Sequence, residues 1–258
     1  MRAQDGRMRA SVIGCYAPME PLVMDGVLKF LACEKKYPLA LVHRIIDRLA
    51  STAVTATVVT HDEAVAFIKD IPPDFAIVSG PCACRLNTAE TLGPDARDLS
   101  SGKLEFCRKT PLNVDIQIAK NAEKFGKLES YSPISKDDLL RLEEECLNMG
   151  LVANIYTVMD GEAGICHCSS ATCIPFLANE AIGGSSSVIK KGAFLPVTDK
   201  GICTGTGDCV KVCHFGARSA PGRGKKAFST VDSSRCHGCG LCARVCPENA
   251  ISMTARRR

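Results

Sequence analysis

The sequence predicts an α+β protein in two domains, and three observations predict it. Helical and strand patterns alternate over roughly the first two hundred residues. Beyond residue 199 a cysteine pattern recurs at an interval of 33 residues, which implies a small pseudo-twofold unit. Sixteen cysteines gather in a few short segments, so the chain is built around side chains that bind metals. The expected division is a mixed α/β cysteine-containing domain over residues 1–198 and a small domain over residues 199–258.

At 258 residues the chain can fill two domains and at least one sizeable core. Hydrophobic content of 46% and charged content of 23% are ordinary for a soluble globular protein. The first ten residues are polar and basic, without the apolar segment of a secretory signal. No stretch approaches the roughly 18 apolar residues of a membrane span. A cytoplasmic chain with no membrane span is expected, and there the thiols stay reduced, as metal ligands rather than a disulfide framework. The net charge is +4, carried partly by Lys225, Lys226 and Arg256 to Arg258, which read as solvated or as a dock for an acidic partner. With 9 Phe, 4 Tyr and no Trp, no basic surface interleaved with aromatics can be traced, and nucleic acid is disfavoured.

In chain order, Leu22, Val23, Leu28 and Leu31 fall at helical spacing, and Pro38 opens a second helix striped by Leu41, Val42, Ile45, Ile46 and Leu49. Cys15, Cys33 and His43 read as packing groups there. Val54 to Thr60 is β-branched and predicts a strand, His61 to Lys69 a short helix, and Phe75 to Ser79 a second strand. That strand runs into Gly80-Pro81-Cys82-Ala83-Cys84-Arg85. Residues 86–109 form a polar loop carrying Cys107, a length that needs something to order it. Val114 to Phe125 reads as a helix.

Ser135 to Asp138 looks like a helix cap, followed by a buried stripe of Leu139, Leu142, Cys146 and Leu147 and a stop at Gly150. Asp137, Asp138, Glu143, Glu144 and Glu145 are assigned to the exposed face, which would repel a phosphate backbone. Leu151 to Met159 and Glu162 to Cys166 make a hairpin around Asp160-Gly161. The returning strand delivers Cys166-His167-Cys168, and Cys173 heads an apolar helix with Ile174, Phe176 and Leu177. Val188 to Val197 supplies one or two short strands.

The strongest motif is Cys236 to Pro247, spaced C-x2-C-x2-C-x3-C-P. Three close thiolates with a fourth that reaches a neighbouring site is iron-sulfur spacing, whereas structural zinc favours two separated C-x2-C knuckles. Gly238 and Gly240 let backbone N–H groups approach an anion. Cys203, Cys209 and Cys213 precede Cys236, Cys242 and Cys246 by 33 residues, and Asp199, Val212 and Ala217 match Asp232, Val245 and Ala250. The repeat breaks at Thr206, opposite Cys239, and at His214, opposite Pro247.

These residues resemble the bacterial-type two-cluster ferredoxins, over residues 199–251. The resemblance implies crossed ligation: one [4Fe-4S] cluster on Cys236, Cys239, Cys242 and Cys213, and a second on Cys203, Cys209 and Cys246 with no fourth thiolate. A threonine hydroxyl holds its proton too tightly to replace a thiol. The second site is then a [3Fe-4S] cluster, as in seven-iron members of the family, or a site-differentiated [4Fe-4S] cluster completed by water or Asp208, or it is empty of iron. His214 and His237 flank ligand cysteines and either tune potential or are surface histidines. The whole chain loosely resembles uncharacterised anaerobe iron-sulfur proteins with a PC-x-CR segment and a later C-[NH]-C cluster. Ser169 to Thr172 stand where those carry more cysteines.

Cys82, Cys84, Cys107, Cys166, Cys168 and Cys173 match no standard motif. Strand alternation puts both thiols of a C-x-C on one face. A third iron-sulfur cluster, zinc and unligated thiols all remain open for them. Arg85 and His167 read as a surface charge and a loop imidazole, or as parts of that site. The expected function is electron transfer to a redox partner, an oxidoreductase subunit, with protein side chains setting potential rather than moving protons. One alternative is a reductase whose substrate meets an open iron site in the amino-terminal domain, with Arg85 steadying an anionic group. Another is a structural or assembly subunit with amino-terminal zinc. No G-x-G-x-x-G precedes a helix, so a nucleotide or flavin site has no support.

Overall fold

The computed structural model describes residues 48, 51, 54–82, 84–85, 111–120, 130–158, 163–181, 184, 186–220 and 228–256. The helical patterns of residues 17–50 (Arg48 aside), Cys15, Cys33, His43, the loop with Cys107, and Lys225 and Lys226 lie outside the described residues. A mixed seven-stranded sheet carries the amino-terminal part, in the order β4-β2-β3-β6-β5-β1-β7. Its strands are β1 Val54–Val58, β2 Ala76–Gly80, β3 Asp115–Ala119, β4 Ser132–Pro133, β5 Val152–Val158, β6 Ala163–Cys168 and β7 Ile189–Lys190. Every pairing is antiparallel except β1 with β7. The molecule is α+β.

Helix α1, His61–Asp70, starts on a capping box in which Thr60 and Glu63 bond each other's backbone N–H. Helix α2, Lys136–Asn148, starts where the Ser135 side chain accepts from the Asp138 N–H, and Gly150 follows it at φ +76°. Glu143 is a correction: it is 1% exposed, on the same side of α2 as Leu139 and Cys146 rather than on the acidic outer face. The helix expected over Val114 to Phe125 is a second correction, because Asp115–Ala119 is the strand β3. Val114, Ile116 and Ile118 are buried at alternate positions, so a period of two governs this β-branched stretch.

The two faces of the sheet pack differently. Ile116, Ile118 and Ile165 meet Ile68 of α1 and Leu139 of α2 in one core. Ala56, Val58, Val152 and Cys168 belong to another, which takes in Phe176 of α3 (Ile174–Ala181) together with Phe215, Ala217, Cys236 and Leu241 of the carboxy-terminal module. Alternation along β6 thus turns Cys166 and Cys168 toward that module and Ile165 toward the helices.

The module repeats itself at the 33-residue interval. β8, Phe194–Thr198, pairs with β11, Ile251–Ala255, and β9, Arg218–Ser219, with β10, Thr230–Val231. Pairing in this unit therefore begins at Phe194, ahead of residue 199. Helices α4, Asp208–Lys211, and α5, Leu241–Arg244, each follow a left-handed glycine, Gly207 and Gly240. Asp199 N–H donates to Ala250 O and Asp232 N–H to Ala217 O, both at 2.8 Å, which is one contact made twice. The module is held to the sheet by Gly192 N–H on His237 O at 2.9 Å and by Arg244 on Glu144 at 2.9 Å. A Cβ on Gly192 would lie 2.3 Å from Val58 O, so only glycine permits this approach.

Candidate metal centres

The pocket between the two half-modules is partly open to solvent. Cys236, Cys239 and Cys242 line it together with Cys213 from the other half. Phe215 and Leu241 make its apolar wall, and among the described residues the Arg218 guanidinium is its one cationic lining group. Burial pushes the Cys242 thiol up to about 12 and raises Cys236 and Cys239 too, with the Gly238 N–H opposing it at Cys236 and Arg218 at Cys242. Gly238 approaches Phe194 O so closely that a Cβ would sit 2.3 Å from it. The donor set fits a four-iron cluster. Four thiols converge from both halves, the Ala217 N–H bonds Cys213 Sγ at 3.3 Å, and the buried guanidinium has no partner among the described residues.

The equivalent set in the other half is less complete. Cys209, buried, and Cys246, half-buried, pack around Ile251 with Cys242. The Ala250 N–H bonds Cys246 Sγ at 3.3 Å, as Ala217 does for Cys213, and the Ser229 N–H bonds Cys203 Sγ at 3.4 Å. Thr206 is exposed. Asp208, one residue before Cys209, pairs with Lys211 at 2.8 Å.

In the amino-terminal part five cysteines meet. The side chains of Cys84, Cys82, Cys166, Cys168 and Cys173 interact in turn around a ring that closes from Cys173 back to Cys84, in two adjoining clusters that share Cys166. Cys166 and Cys168 come from one face of β6, and Cys173 from the loop leading into α3. Cys82 and Cys84 lie past the end of β2, and Cys84 and Arg85 are helical, so turn geometry rather than strand alternation sets them on the ring. Neighbouring thiols hold Cys166 above its ordinary range, burial does so at Cys173, and bonds from Cys166 and Cys84 hold Cys82 below it. Five adjoining thiols, three buried and two half-buried, suit a cation that takes up thiolate charge. No three of the described His, Cys, Asp or Glu side chains close around a single ion, and this holds equally for the Cys236 to Cys246 run. A mononuclear site such as zinc spaces its thiolates only roughly 3.8 Å apart, while a cube of iron and sulfide holds them wider.

Arg85 is 2% exposed and not a surface charge. Its guanidinium donates to Pro111 O and, at 2.7 Å, to His167 O, tying the Cys82–Cys84 turn to β6. His167 is equally buried, and its Nε2 meets Glu143 Oε2 at 2.5 Å. Burial opposes charge on His167, but the nearby Cys146 thiol and Glu143 outweigh it and raise its pKa to about 10. Sequence reasoning missed Glu143 and Cys146 as neighbours of this site. Their buried stripe on α2 is also what a plain core helix shows.

The two histidines of the module are not surface groups either. His237 is 1% exposed and stacks on Phe215 at 4.1 Å, and Phe215 meets Phe176 at 4.9 Å. His214 accepts from the Ser170 N–H at 3.1 Å on Nδ1 and donates from Nε2 to Gly150 O at 2.7 Å. It therefore bridges Cys213 to the loop that follows Cys168. Arg256, read as part of a solvated tail, donates to Cys236 O at 3.0 Å and Gly192 O at 3.2 Å. Arg218 was missed, although the repeat contained the signal: it stands opposite Ile251.

A family model described as Fer4, 4Fe-4S binding domain, matches residues 229–252. No curated protein matches the chain. No helix among the described residues is long and apolar enough to cross a membrane. Residues 229–252 are thus a ferredoxin-type segment that binds a 4Fe-4S cluster and serves iron-sulfur electron transfer.

Proposed function

We propose that this chain is an electron-transfer protein serving an oxidoreductase partner in the cytoplasm of an anaerobe. In this reading Cys213, Cys236, Cys239 and Cys242 hold one [4Fe-4S] cluster, and Cys203, Cys209 and Cys246 hold a second that lacks a thiolate at Thr206. The ring of Cys82, Cys84, Cys166, Cys168 and Cys173 holds a third iron-sulfur centre. The observation that carries the reading is the pocket in which Cys213 stands with three cysteines of the other half-module. Bound clusters supply one-electron chemistry at nearly fixed geometry.

The chain's own residues orient and insulate. Phe215 and Leu241 keep water from the inner pocket, and backbone N–H groups of Ala217 and Ala250 share the charge of Cys213 and Cys246. Phe176, Phe215 and His237 fill the space between that pocket and the thiol ring in one packed core. The exposed Thr206 side is where a redox partner would dock. The amino-terminal domain, with the ring, is the far end of the path. The reductase alternative loses its anion holder, because Arg85 is engaged by two backbone carbonyls.

The test is anaerobic purification of the whole chain with iron, zinc and acid-labile sulfide counts, and EPR of the oxidised and reduced forms. Iron and sulfide beyond two clusters' worth support three centres. Iron for the module alone, with zinc on the ring, would return the amino-terminal domain to a structural or assembly role.

A further inference from the structure

Arg218 is 5% exposed, and none of its three guanidinium nitrogens has a hydrogen-bond partner among the described residues. A buried, unpaired cation is strongly unfavourable unless an anion meets it. The cavity it lines is the one that gathers Cys213, Cys236, Cys239 and Cys242. The repeat sharpens this. Arg218 opens β9 as Ile251 opens β11, and Ile251 packs against Cys209 and Cys242 as an aliphatic group beside the other cysteine set. The same position thus presents a cation to one site and a methyl-bearing side chain to the other.

Building on the ligation proposed above, we propose that Arg218 is the buried counter-charge of the cluster on Cys213, Cys236, Cys239 and Cys242, and raises the midpoint of that site. Each one-electron reduction adds a negative charge to an already anionic cluster, so a fixed cation at close range favours the reduced form over the oxidised one. Among the described residues the equivalent position at the other cysteine set, Ile251, carries no charge. An electron delivered from outside by a one-electron reductant, which is itself oxidised, is held more tightly at the Arg218 site than it would be without the guanidinium. No bond forms or breaks.

The experiment is an anaerobic potentiometric titration of the full chain with dithionite, followed by EPR, in wild type, Arg218→Ile and Arg218→Lys. Arg218→Ile, which restores the repeat, should move the four-iron site's midpoint to lower potential with the second cluster's midpoint unmoved, while Arg218→Lys stays near wild type. An Arg218→Ile protein with full iron and an unmoved midpoint overturns the inference and leaves the ligation reading intact. A wild-type chain without a four-iron signal defeats that reading instead. Should Arg218→Ile lose its iron, Arg218→Lys decides: retained iron and midpoint support a charge role, and loss of both overturns it.

Discussion

The two halves of the carboxy-terminal module share glycines, helices, strand pairings and N–H···S bonds at one interval, and differ where their surroundings differ. Cys239 lines a pocket buried against the sheet, and its counterpart Thr206 is exposed. Pro247 is matched by His214, which reaches into the amino-terminal part, and Ile251 by the buried Arg218. The inner site has gained a cation and a docking histidine, and the outer one has lost a thiol. Departures from an internal repeat here mark what each half faces, protein on one side and solvent on the other.

The comparison breaks hardest at Cys213. Cys213→Ala should remove about four irons per chain and the reduced four-iron EPR signal, although Cys236, Cys239 and Cys242 remain. If that signal survives while the other cluster is lost, the halves do not exchange ligands. Cys166→Ser opens the thiol ring and should remove the amino-terminal metal with both module clusters left in place, read from metal counts and EPR of the whole chain. Retention of all metal by that variant would reduce the ring to packing.

A smaller change sharpens the comparison. Thr206→Cys makes the halves alike, and should add about one iron per chain and abolish the oxidised three-iron signal of the second cluster. An unchanged spectrum in an iron-replete preparation would mean that the outer site already holds four irons.

The sequence made the module legible because its cysteines are local: Cys236 to Cys246 lie within one turn and one short helix, and their spacing alone picks them out. The thiol ring was legible only as a list of cysteines. Its closure depends on β6 lying at the centre of a sheet beside β3, which pairs in turn with the strand leading to Cys82, and no spacing encodes a strand order. Val114 to Ala119 went wrong for a related reason. A short apolar run fits either period until its neighbours are known. Glu143 was misplaced because an acidic residue among others reads as exposed. The buried His167 across from it, with His61 Nδ1 at 3.2 Å from its other carboxylate oxygen, explains why it is not.

The mildest test concerns His214, where the repeat would have a proline. His214→Pro restores the repeat and removes both ring nitrogens, leaving the Ser170 N–H without the acceptor and Gly150 O without the donor that His214 supplies. Each is a half-buried backbone group at the seam between module and sheet, so the loss should cost about 1–3 kcal/mol. It should appear as a lower guanidinium midpoint at unchanged m-value, with iron content intact. His214→Ala separates the two effects, because it removes the bridge without constraining the backbone. If both variants unfold at the wild-type midpoint, the seam is held without the histidine, by the core around Phe176, Phe215 and Leu241 and by the Gly192 and Arg244 contacts, and the histidine is there for the electronic contact between Cys213 and the Cys168 loop. That role would then appear as slower reduction of the amino-terminal centre by the module in stopped-flow mixing, with no change in stability.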